Sequence, residues 1–169
     1  MAETALSESE WAVWRALTLM GRRLATATEK GLQSAAGISA PDFEILRALS
    51  EAERNRARAG ELGDMLSWEK SRISHHVTRM EARGLVARDE CDADLRGTWV
   101  TITAEGRAAL DRALPAYAEV VRSTLTGLLP EADAAVIGRA AVAIVRGTEP
   151  ESCGAEVDRL ERVIGRPPD

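Results

Sequence analysis

From Ser7 to about residue 35, Trp11, Trp14, Leu17, Leu24 and Leu32 recur at helix-like intervals, and Ser7 with Glu10 has the Ser-x-x-Glu spacing of a capping box. Gly31, Gly37 and Pro41 break that pattern before a second helix carrying Phe43, Ile45, Leu46 and Leu49. Residues 60–66 hold apolar positions at helical spacing, Ser67-Trp68-Glu69 separates them from the next element, and residues 70–84 read as a further helix with Ile73, Val77 and Met80 on one face. Gly84 stands where a helix C-terminal cap belongs. Two β-prone runs follow, Leu85 to Cys91 and Thr98 to Thr103, joined by a polar, turn-rich loop ending in Gly97. Thr103-Ala104-Glu105-Gly106 then opens a long helical pattern through Leu110, Leu114, Val120, Val121, Leu125 and Leu128, which Leu129-Pro130-Glu131 interrupts. A last helix of about 131–146 is apolar around much of its circumference, and the tail beyond it, with Pro150, Pro167 and Pro168, holds one short helical stretch, Ala155 to Ile164.

A short helix, a three-residue turn, a second helix and a Gly-tipped hairpin are the proportions of a winged helix-turn-helix. In the second helix, a rotation of about 100° per residue sets Ser71, Arg72, His75, Thr78 and Arg79 around the side opposite the apolar stripe. A basic, hydroxyl-rich face of this kind suits the major groove, where Arg donates two hydrogen bonds to guanine and Ser or Thr reaches bases or phosphates. The alternative is an ordinary solvated helix face, the default for amphipathic helices. In the loop, Arg96 is placed to enter an adjacent minor groove, with Asp94 orienting its guanidinium or serving only as a turn residue.

The run Leu66-Ser67-Trp68-Glu69-Lys70-Ser71-Arg72-Ile73-Ser74-His75-His76-Val77, then Arg79-Met80-Glu81 and Arg83-Gly84-Leu85-Val86, resembles the MarR family of transcriptional regulators. Asp94-Leu95-Arg96-Gly97 with Val100-Thr101-Ile102-Thr103-Ala104-Glu105-Gly106 is similar to that family's wing motif. The likeness is strongest over residues 60–110 and extends by helix order to about 7–147. It implies a mainly α fold with a small β-wing: a winged helix-turn-helix lobe of about 41–103, flanked by dimerisation helices of about 7–36 and 104–146, with 148–169 a peripheral tail. It also implies a homodimer bound to a pseudo-palindromic double-stranded DNA operator, as repressor or activator, often released by a small-molecule effector. The DNA-binding roles carry over to Ser71, Arg72, Ser74, His75, His76 and Arg79 in the recognition helix and, in the wing, to Arg96 with Asp94. Effectors of the family usually occupy a cleft between the dimerisation helices and the DNA-binding lobe. Trp11, Trp14 and Arg15 are candidates to line it, since some urate-sensing relatives use a Trp and an Arg there. The simpler reading makes both tryptophans packing residues at the dimer interface.

Composition changes this picture little. The 169 residues, 45% hydrophobic, suffice for a core, and the net charge of −5 is unevenly spread. Residues 54–107 hold ten Lys plus Arg against nine Asp plus Glu, so the acidic excess lies in the flanks, away from the expected groove-facing surface. No apolar run approaches the roughly 18 residues of a membrane span, and the acidic start, with Glu3, Glu8 and Glu10, is unlike a signal peptide, so a cytoplasmic protein is expected. Cys91 and Cys153 are too few for a disulfide framework or a metal site, and the acidic neighbours of Cys91 disfavour a reactive thiolate. An enzyme is not expected, nor a cofactor. The adjacent His75 and His76 diverge by about 100° on a helix, and no phosphate loop, His-Glu-x-x-His motif or nucleophile elbow occurs. The remaining rival is a winged-helix protein-interaction module that does not bind DNA, against which Arg72, Arg79 and Arg96 argue.

Overall fold

Seven helices and three short strands follow one another in a computed structural model that describes residues 6–90, 98–148 and 154–165. Helix α1 (Glu8–Ala36) starts at the expected capping box, with the Ser7 amide donating to Glu10 Oε2 at 2.7 Å and the Glu10 amide to Ser7 Oγ at 3.3 Å. A second capping box, Ser39 with Asp42, opens α2 (Ala40–Glu51). A single 3₁₀ turn, Glu53–Asn55, leads into a strand that the hydrophobic pattern does not reveal, β1 (Arg56–Arg58). Arg54 and Asn55 are both left-handed there, and the Arg107 guanidinium holds the turn by donating to Asn55 Oδ1 at 2.6 Å.

Helix α3 (Ala59–Leu66) and helix α4 (Lys70–Ala82) flank the expected turn. The chain leaves α4 through Gly84, φ +71°, while the Leu85 amide donates back to the Met80 carbonyl at 3.0 Å; only glycine takes that conformation without steric cost. Strands β2 (Val86–Glu90) and β3 (Thr98–Ile102) form the predicted hairpin, and β1 adds to the free side of β3, giving an antiparallel sheet of order β1-β3-β2. Ala57 opposite Val100 and Val86 opposite Ile102 put the apolar positions of all three strands on the core side.

Helix α5 (Ala104–Val121) is capped by Thr103, whose hydroxyl accepts from the Gly106 amide at 3.0 Å and donates to the Gly84 carbonyl at 2.6 Å. That one residue ties the start of α5 to the end of α4. The long apolar pattern does not continue as one α-helix to Leu128: a π-helical turn, Arg122–Thr126, follows α5, with the Gly127 amide donating to the Arg122 carbonyl five residues back. Helix α6 (Glu131–Thr148) and helix α7 (Gly154–Ile164) pack on each other through the buried Val142 and Val157, and Arg146 ion-pairs with Asp158 at 2.8 Å and Glu161 at 3.1 Å.

The core gathers Leu32 from α1, Phe43, Leu46 and Leu49 from α2, Leu62 from α3, Ile73, Val77 and Met80 from α4, Val86 and Val100 from the sheet and Leu110 from α5. Only the C-terminal part of α1 shares in it, by packing on α5. The apolar stripe nearer the start of α1, including Trp11, Val13, Trp14 and Leu17, stays exposed, as do Val136 and Ile144 of α6. No helix among the described residues is long and apolar enough to cross a membrane.

Candidate nucleic-acid interface

The α3–turn–α4 unit is fixed from below and from both ends. Ile73, Val77 and Met80 are fully buried, so the apolar stripe holds α4 to the core and turns its other side outward. In the turn, Ser67 is left-handed and the Trp68 amide donates to the Gly63 carbonyl at 2.9 Å. At the far end of α4, Arg83 donates to Asp42 Oδ2 and to the Gly37 carbonyl, both at 2.6 Å. Asp42 is 3% exposed and also accepts from the Ser39 amide, so one buried carboxylate anchors both the start of α2 and the end of α4. From β2, Arg88 reaches across to Glu81 at 2.7 Å and Thr78 Oγ1 at 2.8 Å, bracing the hairpin against the helix.

On the outward side, Ser71, Arg72, Ser74, His75 and Arg79 are exposed and His76 is half-buried. The structure therefore brings six of the predicted contact residues onto one helix face. Thr78 is committed elsewhere: its hydroxyl donates to the Ser74 carbonyl at 2.9 Å and accepts from Arg88. The Arg72 guanidinium carbon lies 3.7 Å from the centre of the Trp68 ring, and the His76 ring sits 5.6 Å from the same indole. Burial lowers the His76 pKa below the usual 6.5, and the neighbouring Arg72, His75 and Arg79 push it the same way, against the pull of Asp42. His76 is accordingly a neutral donor and acceptor at pH 7. Arg58, Lys70, Ser74, Thr78 and Arg88 line a cleft of about 770 Å³ between α3, α4 and the hairpin. Asp94, Arg96 and Cys91, and likewise Cys153, lie outside the described residues.

The candidate effector residues fall elsewhere. Trp11, Trp14 and Arg15 line a shallow groove with Thr18, Leu19 and Arg22, all from α1, and the two indoles are 52% and 63% exposed. A larger cavity of about 830 Å³ lies between α1, α2 and α5, lined by Thr26, Glu29, Lys30, Glu44, Arg47 and the stacked pair Phe43 and Tyr117, whose ring centres are 4.7 Å apart. Desolvation raises the Glu44 pKa above the usual 4.5, countered by the charges of Arg72 and Arg47. Sequence reasoning missed this site because its residues come from three separate helices; the periodic position of Phe43 pointed to a core face, and nothing pointed to Tyr117. Among the described residues, no three His, Cys, Asp or Glu side chains cluster as metal ligands.

Comparison with known proteins bears on this arrangement. A family model described as the MarR family matches residues 36–97. The crystal structure of Sco3205, a MarR family transcriptional regulator from Streptomyces coelicolor in complex with DNA, superposes with a TM-score of 0.81 at 30% identity, over 87% of this chain and 92% of that one. AbsC, a MarR family regulator from the same organism, gives 0.73 at 32% identity, over 92% of this chain and 97% of its own. Bordetella bronchiseptica BpsR, whose DNA binding is described as regulated by 6-hydroxynicotinic acid, shares the fold with a TM-score of 0.63 at 23% identity, over 75% and 93%. No curated protein matches.

Proposed function

The chain belongs to the MarR family of transcriptional regulators, and on that premise we propose that it is a sequence-specific double-stranded DNA-binding repressor, acting as a homodimer and released by a small molecule. The observation that carries the DNA reading is α4: its stripe of Ile73, Val77 and Met80 is buried while Ser71, Arg72, Ser74, His75 and Arg79 face solvent together. Sco3205, similar along most of its length, is described in complex with DNA. Arg72, Arg79 and His75 then read bases or phosphates in a major groove, and Arg96 with Asp94 serves the neighbouring minor groove. Residues 41–103 form the DNA-binding lobe. The flanking helices pair two chains, because the exposed apolar residues of α1 and α6 form patches that a lone chain leaves in water. Two lobes related by a twofold axis call for a pseudo-palindromic operator with half-sites about 10 to 10.5 base pairs apart.

The effector reading rests on the cavity between α1, α2 and α5. Phe43 and Tyr117 offer an aromatic platform, Lys30 and Arg47 offer cationic donors, and Glu44 and Glu29, the latter already accepting from the Ala40 amide at 2.8 Å, offer acceptors, a combination that suits a small aromatic compound carrying both an acidic and a donor group. The BpsR description names a compound of that class. Trp11, Trp14 and Arg15 are assigned to the paired surface or its edge.

The test is a fluorescence-anisotropy titration across salt concentrations, using a duplex that the protein enriches from a randomised library. Wild-type binding should weaken steeply with salt, and Arg72→Ala should cost about 1 to 3 kcal/mol on the enriched duplex with less effect on a scrambled one. No salt-sensitive binding at low ionic strength would instead mark a protein-interaction module.

A further inference from the structure

Trp68 has no role assigned so far, yet it stands beneath Arg72, a proposed reading residue, and His76, an expected contact residue of the same helix. It belongs to the turn before α4, half-buried with one side packed on the core. The Arg72 guanidinium lies over its ring at 3.7 Å, and the His76 imidazole is tilted against it by 48° at 5.6 Å. The three positions are spaced by four, so they fall along one edge of the turn and helix. Among the described residues Arg72 makes no hydrogen bond or ion pair, and the Trp68 indole is the group its guanidinium packs on.

A stacked guanidinium uses its faces and keeps its five N–H donors free in the plane, where a guanine edge or a phosphate accepts them. Stacking also removes rotational freedom from a long side chain before DNA arrives, which lowers the ordering cost of binding. Packing of His76 against the same ring restricts the imidazole in the same way. We infer that Trp68 is a positioning residue for sequence reading: it presets Arg72 and His76 in the poses from which α4 discriminates between bases. This rests on the DNA-binding reading proposed above.

The experiment compares Trp68→Leu, which keeps apolar bulk without a π-face, with Trp68→Phe, which keeps a smaller one. The probes are the duplex enriched by the wild-type protein from a randomised library and a scrambled duplex of equal length. Trp68→Leu should lower affinity for the enriched duplex about fivefold and leave scrambled-duplex affinity and the salt slope unchanged, while Trp68→Phe restores most of the loss. Arg72→Lys keeps the charge but not the planar group, and combining it with Trp68→Leu should cost less than the sum of the two single losses, because the share carried through Arg72 is lost only once. Trp68→Met, apolar and flexible, takes the place of Trp68→Leu if circular dichroism finds the latter unfolded. Equal losses on both duplexes, a Phe variant as weak as the Leu variant, or additive losses in the double variant would each overturn the positioning role. A wild-type protein that enriches no duplex overturns the DNA-binding reading itself. Enrichment by the wild type with full discrimination kept by Trp68→Leu overturns only the inference.

Discussion

Protonating His76 means placing a positive charge in a half-buried spot beside Trp68, with Arg72, His75 and Arg79 already nearby. Its pKa in the folded chain is therefore below the ordinary 6.5, and Asp42 recovers only part of the difference. The sign follows from linkage. Above 6.5 the imidazole is neutral in both states and its contribution to stability is complete; as pH falls below 6.5 the unfolded chain takes up the proton first, and stability drains away until the folded pKa is reached. Urea denaturation at successive pH values should register this decline in the wild type and a shallower one in His76→Gln. Identical slopes would remove His76 as its source. The composition of the recognition face was readable at this scale, because the three-and-four spacing of Ile73, Val77 and Met80 decides which residues face out. What each outward residue touches was not. The outer face includes Thr78, yet its hydroxyl is held by Ser74 and Arg88, and Arg88 comes from a strand that periodicity places only as a hairpin arm.

At the scale of elements, the junctions around the hairpin are tighter than the elements themselves. Gly106 opens α5 directly over the Leu85 carbonyl, and a β-carbon at that position would overlap the oxygen. Because backbone rather than a flexible side chain stands in the way, Gly106→Ala should destabilise the fold by about 1 to 3 kcal/mol, seen as a lower midpoint in urea. A variant as stable as the wild type would mean that the α4–β2 and β3–α5 junctions can separate without cost. Helices α1 to α4 and strands β2 and β3 were visible in the sequence through caps, spacing and turn residues. Strand β1 was not, because it has three residues, one inward side chain in Ala57, and a partner strand more than forty positions away. Its two arginines are accounted for only by the assembled sheet, where both lie over the Trp99 ring, at 4.6 and 5.2 Å.

For the molecule as a whole, the stretch of α1 outside the core leaves an apolar stripe in solvent. Val13 and Leu17 are 60% and 40% exposed, so acidic replacements there should leave the single chain folded. Val13→Glu combined with Leu17→Glu should weaken chain pairing by about two orders of magnitude, equivalent to ~2.8 kcal/mol, measured by sedimentation over a concentration series. Pairing of unchanged strength would move the interface away from α1. The sequence announced these helices but not the cavity between α1, α2 and α5, since Phe43 and Tyr117 meet only after two separate apolar faces have packed. The π turn after α5 also escaped notice, and it has a consequence for how this chain tolerates change in length. Five residues are looped where four would normally close the circuit, and Gly127 is needed because a β-carbon would crowd the Arg122 carbonyl at 2.6 Å. Deleting one residue from 123 to 126 would let the ordinary four-residue circuit close with the chain beyond it nearly in its present phase, whereas a deletion within the regular spiral of α5 would turn everything downstream by about 100° about the axis, α6 and α7 included. A single-codon loss in this short stretch would thus be absorbed, while the same loss a few residues earlier would act as a steering error, pointing the C-terminal helices in the wrong direction.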